Sequence, residues 1–132
     1  MKTNLITAIK LFDAIMKLSE TPLDFASAHA LVMAKAELEP HVSFFMEQET
    51  GLLERCAEKG EDGAPKMEAE GQYIISKDKI AEFRDERQQL NGVEVEVTKR
   101  KLKKLPDAIT PAALEVLMLA FEFPEEGVID DG

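Results

Sequence analysis

The chain has 132 residues, of which 45% are hydrophobic and 32% charged, and its formal net charge is -10 at pH 7. These values are typical of one globular domain and exclude a disordered chain, and the acidic balance argues against general affinity for nucleic acids or anionic membranes. Cys56 is the only cysteine, which excludes an intrachain disulfide and fits a reducing cytosol. No uncharged run is long enough to span a bilayer, so we expect no membrane contact.

The first two predicted elements are helices. Residues 4–19 carry apolar side chains at helical spacing, and the wide apolar arc predicts a core helix between two neighbours. A second helix is predicted from Pro22 to Lys59, with Thr21 as its cap. Such a helix would be about 57 Å long, which is longer than a compact domain of this size. We therefore favour a kink or break at Pro40 over a straight arm that pairs with another subunit.

A heptad seam runs along this second helix. Its members recur every seven residues, as in a coiled coil, at Leu31, Leu38, Phe45 and Leu52. Other apolar positions of the helix, Phe25 and Val32 among them, are assigned to the same apolar set. If the seam is exposed, it is a surface for self-association as a homo-oligomer, and otherwise it belongs to the core.

The second half of the chain alternates strands and helices. Its predicted parts are a loop over residues 60–71, a strand over residues 72–75, a helix capped by Ser76 and stopped at Asn91-Gly92, a strand over residues 93–97, and a helix opened by Thr110 and Pro111. On the last helix Leu114, Leu117, Met118 and Phe121 are predicted to face inward. The strand over 93–97 is predicted to bury Val93, Val95 and Val97.

The predicted fold is α+β and mainly helical. An N-terminal helix and a long or kinked second helix are followed by strand, helix, strand and helix, with a small two-stranded element whose pairing is either parallel or antiparallel. We expect residues 1–121 to form a single compact domain and residues 122–132 to form an acidic, frayed C-terminal tail.

No pattern of catalytic or metal-binding residues stands out. His29 and His41 are twelve positions apart without the paired Glu-x-x-His motifs of a di-iron bundle, and Cys56 stands alone. Walker loops, dinucleotide fingerprints and serine elbows are missing from the sequence. We therefore predict a protein that is not an enzyme and that has no cofactor and no metal site.

One stretch is strongly basic. It places five basic side chains within six residues: Lys99, Arg100, Lys101, Lys103 and Lys104. These residues could bind a nucleic acid or an acidic protein partner. We favour two other interpretations, in which the lysines protect an exposed strand edge from aggregation, or the stretch is neutralised by the acidic tail at Glu122, Glu125, Glu126, Asp130 and Asp131. The acids at 47–49, 68–70 and 85–87 leave a further alternative open, an acidic mimic of nucleic acid.

Two segments resemble a family of small phage and prophage proteins of unknown function. They are "EDGAPKMEAEGQYIISKDKIAEFRDERQQLNGVEVEVTKRKL" and "ITPAALEVLML", and the similarity extends more loosely over the N-terminal helices. The resemblance implies an accessory protein made in the cytoplasm of a bacterial host, with virions as a second location, and it brings no catalytic residues. We expect contacts with a phage or host protein, either in virion assembly or in inhibition of a host protein such as a defence nuclease. Nucleic-acid binding through residues 99–104 and acidic mimicry are the alternatives.

Overall fold

The computed structural model describes residues 1–69, 72–103 and 108–123. Its elements in chain order are β1 (Lys2–Asn4), α1 (Leu5–Leu18), α2 (Phe25–Cys56), β2 (Met67–Ala69), β3 (Gln72–Tyr73), a 3-10 turn (Lys77–Lys79), α3 (Ile80–Asn91), β4 (Glu94–Glu96), β5 (Arg100–Lys101), α4 (Pro111–Leu117) and β6 (Phe121–Glu122). The predicted class is confirmed, because the fold is mainly helical with small two-stranded sheets.

Helix α1 lies at the centre of the core, as predicted. The Asn4 side chain caps it by accepting the Thr7 N–H at 2.9 Å. One wide face is buried, through Leu5, Ala8, Leu11, Ala14, Ile15 and Leu18. This face contacts α2, α3 and α4, which explains why so much of the helix circumference is apolar.

Helix α2 begins later than predicted and continues through its proline. Asp24, rather than Thr21, is the N-cap, and its Oδ2 accepts the Ser27 N–H at 3.0 Å. Aspartate is the stronger N-cap of the two residue types, which accounts for the shift. The helix then runs without interruption to Cys56, so the break considered at Pro40 does not occur. Its 32 residues correspond to about 48 Å.

Pro40 is compatible with this helix because of the side on which it lies. A proline removes the N–H that would otherwise bond to the carbonyl of Ala36. Both Ala36 and Pro40 are exposed, so water can reach that carbonyl.

Helix α3 packs on the C-terminal part of α2, where Arg87 forms an ion pair with Glu49 at 2.8 Å.

Within the described residues the strands form three separate sheets, whereas the sequence pattern predicts one two-stranded element. Strand β1 pairs antiparallel with β4, β2 pairs antiparallel with β3, and β5 pairs parallel with β6. The two predicted strands, observed as β3 and β4, therefore do not pair with each other. Their actual partners have three residues each, which is too short to show the alternating pattern of a strand.

The core joins α1 and α2 to β4 and to the end of the described chain. Val95 and Val97 are buried, as predicted. Val93 is exposed because it precedes the first residue of β4. Leu117 is buried in α4 and Phe121 is buried in β6, while Met118 faces solvent against the prediction.

The third helix and the tail also depart from the expected picture. Ser76 precedes the 3-10 turn instead of capping α3 directly, and Leu90 is the one buried residue of α3. Glu122, the first residue of the predicted tail, lies opposite Lys101 in the pair of β5 and β6. Residues 124–132 lie outside the described part of the chain.

Candidate functional site

The basic stretch follows strand β5 and the segments on either side of it. Lys99, Lys101 and Lys103 are exposed, while Lys104 lies outside the described residues. None of the three exposed lysines forms an ion pair with a carboxylate of a described residue. They therefore present ammonium groups to solvent along a short parallel pair of strands.

Arg100 differs from these lysines because Glu37 of α2 holds it. The guanidinium of Arg100 lies 3.0 Å from the Glu37 carboxylate, which also accepts the Thr98 N–H at 3.2 Å and the Thr98 O–H at 2.6 Å. Burial alone would raise the pKa of Glu37, but these hydrogen bonds and the arginine charge outweigh it, and the pKa lies below its ordinary value. Arg100 thus fastens the basic segment to α2. Its guanidinium is already paired and is not free for a ligand.

A second attachment fixes the end of the basic stretch. The backbone N–H of Lys103 donates to Oγ of Ser27 at 3.1 Å. Ser27 is a fully buried polar residue in the first turn of α2. Two contacts with α2 therefore set the course of residues 98–103, and the lysine side chains project from a fixed backbone.

The heptad seam of α2 lies inside the protein. Its members are at most 5% exposed: Leu31, Leu38, Phe45 and Leu52. Phe45 also forms a cation–π contact with Arg87, whose Cζ lies 5.4 Å from the ring centroid. The seam is therefore the side of α2 that packs against its own fold, and it offers no exposed surface to a second subunit.

The opposite side of α2 is rich in exposed apolar residues and poor in charge. We call it the outer face of α2, and it comprises the exposed residues Phe25, Ala26, His29, Val32, Met33, Ala36, Glu39, Pro40, Ser43, Phe44 and Met46. Eight of these eleven are apolar and only Glu39 bears a formal charge, in a chain that is 32% charged. The rings of Phe25 and His29 stack with their centroids 6.2 Å apart.

The sequence contained a signal for this face that the heptad interpretation missed. Leu31 and Val32 are neighbours, and consecutive residues of a helix point about 100° apart. They cannot both lie on one narrow seam. Leu31 is 3% exposed and Val32 is 62% exposed, so the helix has an inner and an outer apolar stripe. Beyond Met46 the outer side turns polar, with Glu47, Gln48 and Thr50.

The two histidines and the cysteine are separate from one another along α2. His29 is on the outer face, and His41 is half-buried further along α2. Cys56 is fully buried with its Sγ 3.5 Å from Oε2 of Glu82, and burial together with that carboxylate raises the pKa of the thiol. A thiol with a raised pKa is a poor nucleophile. Among the described residues no group of three or more His, Cys, Asp or Glu side chains could hold a metal ion.

Two of the acids considered for mimicry are engaged within the chain. Glu49 pairs with Arg87, and Glu86 pairs with Arg55. Arg55 also lies 3.7 Å from Glu82. A carboxylate paired with an arginine of its own chain is less available to imitate a phosphate.

Two cavities of similar volume lie on the described surface. One, of about 420 Å³, lies between the end of α1 and the start of α4 and is lined mainly by Ala14, Leu18, Ile109, Ala113 and Leu117. The other, of about 440 Å³, follows α3 beside Phe83, with Arg84 and Arg87 at its border. Neither lining contains a histidine or a carboxylate, so neither provides an acid–base pair.

Comparisons with protein-family models, curated proteins and solved structures give no match for this chain. Within the described residues, no helix has the length and apolar character needed to cross a membrane.

Proposed function

We propose that this protein acts without catalysis, through contacts with other proteins, and that the outer face of α2 is its contact surface. The observation that carries the proposal is the composition of that face. Five large apolar side chains remain 44–85% exposed on it: Phe25, Val32, Met33, Phe44 and Met46. Contiguous apolar surface of this kind is typical of protein interaction sites, since it is costly to leave in water.

The resemblance to phage and prophage proteins supplies the biological setting of the proposal. It supports an accessory protein of the bacterial host cytoplasm with two roles in view, virion assembly and inhibition of a host protein such as a defence nuclease. Both roles require a protein partner and no reaction.

Affinity capture with matched variants tests the proposal. Tagged wild-type protein, Val32→Glu and Met118→Glu are applied to lysates of phage-infected and uninfected bacteria, with and without nuclease. Val32 and Met118 are 62% and 55% exposed, and only Val32 lies on the outer face. We expect a partner that survives nuclease, binds wild type and Met118→Glu, and is lost from Val32→Glu, because a charge in an apolar interface must be desolvated. Equal capture by all three proteins would contradict the proposal.

Nucleic-acid binding through the basic stretch is the second candidate, and one observation favours it. Lys99, Lys101 and Lys103 are exposed and pair with no carboxylate in the described part of the chain. If the three contact phosphates, log affinity should fall against log salt with a slope of about -2.7. Charge reversal at all three should abolish the slope, whereas Lys35→Glu on α2 should leave it unchanged. Absence of binding at low salt removes this candidate.

A further inference from the structure

We infer that the outer face of α2 binds a second copy of this chain, as an antiparallel pair of α2 helices related by a two-fold axis near Ala36. The inference rests on the proposed function, because it names the partner of the same face. Three properties of the face support it: its area, its order of large and small residues, and its charge.

The area of the outer face is in the range that a dimer needs. The exposed fractions of its five large apolar residues are 85% for Phe25, 62% for Val32, 46% for Met33, 44% for Phe44 and 60% for Met46. Taken as about 200 Å² for each complete side chain, they expose roughly 600 Å². The smaller exposed residues of the face bring it close to the figure of about 800 Å² per partner for a stable interface.

The order of residue sizes along the face is self-complementary when the helices run antiparallel. Aromatic side chains lie near its two ends, at Phe25 and Phe44, and Val32 and Met33 lie about one turn before the middle. The small side chain of Ala36 lies at the middle. In an antiparallel pair centred there, Ala36 meets Ala36 and the helices can approach closely, while the Phe25 end of each copy meets the Phe44 end of the other. A parallel pair would not bring these ends together.

The charges near the centre also select the antiparallel arrangement. Glu39 is exposed and Lys35 is half-buried, and neither forms an ion pair with any residue that the structure describes. Antiparallel packing about Ala36 brings Glu39 of each copy within a helical turn of Lys35 of the other. Parallel packing would set Glu39 against Glu39. Because each copy carries a net charge of -10, association through its acidic surfaces is opposed, whereas the outer face carries a single formal charge, on Glu39.

Sedimentation equilibrium over about 1 to 500 µM tests the dimer, since an interface of this size is expected to give a dissociation constant in the micromolar range. The mass of the 132-residue wild type should rise from 14.7 kDa towards twice that value. Val32→Glu should raise the dissociation constant about tenfold or more, whereas Met118→Glu should leave it unchanged. Circular dichroism at low concentration checks that both variants are folded. A monomer at every concentration, or equal weakening by Met118→Glu, overturns the inference.

Disulfide trapping tests the orientation. In the antiparallel pair Ala36→Cys places two thiols at the axis, where the Cα atoms are near enough for a disulfide. Thr50→Cys lies on the same side of α2, but its two copies would be about 42 Å apart along the helices. We expect a covalent dimer of Ala36→Cys on mild oxidation and none of Thr50→Cys or of wild type, whose single cysteine is buried. Equal trapping of both variants overturns the antiparallel arrangement.

The two proposals fail in different ways. A monomeric wild type whose Val32→Glu variant still loses a nuclease-resistant partner overturns the second-copy inference and supports the proposed function. A monomer with no partner that depends on Val32 overturns both.

Discussion

Replacing Glu37 by alanine should loosen the attachment of the basic segment to α2. The Glu37 carboxylate binds three donors at once, the N–H and O–H of Thr98 and the guanidinium of Arg100. The side chains of Glu37 and Arg100 are 26% and 21% exposed, so the network is mostly shielded from water. Alanine removes all three hydrogen bonds and leaves the arginine charge half-buried without its partner.

The expected loss of folding stability in Glu37→Ala lies between two limits. A hydrogen bond to a charged group contributes about 1.5–3 kcal/mol when it is well shielded, and an exposed ion pair contributes about 0–1 kcal/mol. For a network with about a quarter of its surface in water, we expect Glu37→Ala to lower the free energy of unfolding by about 2 kcal/mol. In a chain of this length, that loss lowers Tm by about 6–8 °C.

Urea unfolding at pH 7, followed by circular dichroism, measures this cost. Glu47→Ala is the matched control, because Glu47 lies on the same helix, is exposed and forms no ion pair with a described residue. It should change stability by less than about 0.5 kcal/mol. If Glu37→Ala falls within that same margin, or if the two variants cost equally, the reasoning on the Glu37 network is refuted.

The pH dependence provides an independent check on the same carboxylate. The pKa of Glu37 is lowered in the folded protein from its ordinary value of 4.5. Its contribution to stability is therefore complete above that value and disappears as the pH falls through the lower folded pKa. The stability difference between wild type and Glu37→Gln should stay constant from neutral pH to about pH 5 and shrink below that range. If the stability difference between the two proteins grows on acidification, the pKa of Glu37 is raised in the folded protein and the argument is wrong.

Three further predictions follow from α2. In urea titrations at monomeric concentrations, Leu38→Ala should lower the free energy of unfolding by about 2–5 kcal/mol, and Val32→Ala should lower it by less than about 0.5 kcal/mol. Equal losses of stability would contradict the division of α2 into an inner and an outer apolar stripe. Pro40→Ala should restore the hydrogen bond to the Ala36 carbonyl and raise Tm by several degrees in a thermal melt, with about 1–3 kcal/mol gained, whereas a loss would mean that the proline is required. Cys56 should react with a thiol reagent much more slowly in the native protein than in urea, and rapid native reaction would contradict its burial.

The helices were largely predictable because their signals are local. The prediction over residues 4–19 lies within one residue of α1 at each end. For α4, the Thr110 hydroxyl oxygen accepts the Ala113 N–H at 3.2 Å, as expected of the predicted cap. The strand partners were not predictable, because β1 and β4 are separated by about ninety residues and each pairs over only three. A three-residue strand has no periodic pattern of its own.

The candidate site could be predicted only in part. The heptad spacing identified a real stripe, but spacing alone does not tell which side of a helix its neighbours cover. That choice depends on where α1 and α3 pack, and they cover Leu31, Leu38 and Phe45 while leaving Val32 in solvent. The role of Arg100 was equally hidden, because its partner Glu37 is 63 residues away in sequence.

The outer face of α2 is not explained by the folding of the chain. A helix at the edge of a domain needs one apolar stripe, and the buried seam already supplies it. The exposed surfaces of Phe25, Val32 and Met46 remain in contact with water, so they contribute little to protomer stability and reduce solubility. Their contribution to free energy arises only when another surface covers them. Variants of the heptad seam and of the outer face should therefore have different effects. Leu38→Glu should unfold the protomer, whereas Val32→Glu should leave the protomer folded and remove its contacts with a partner.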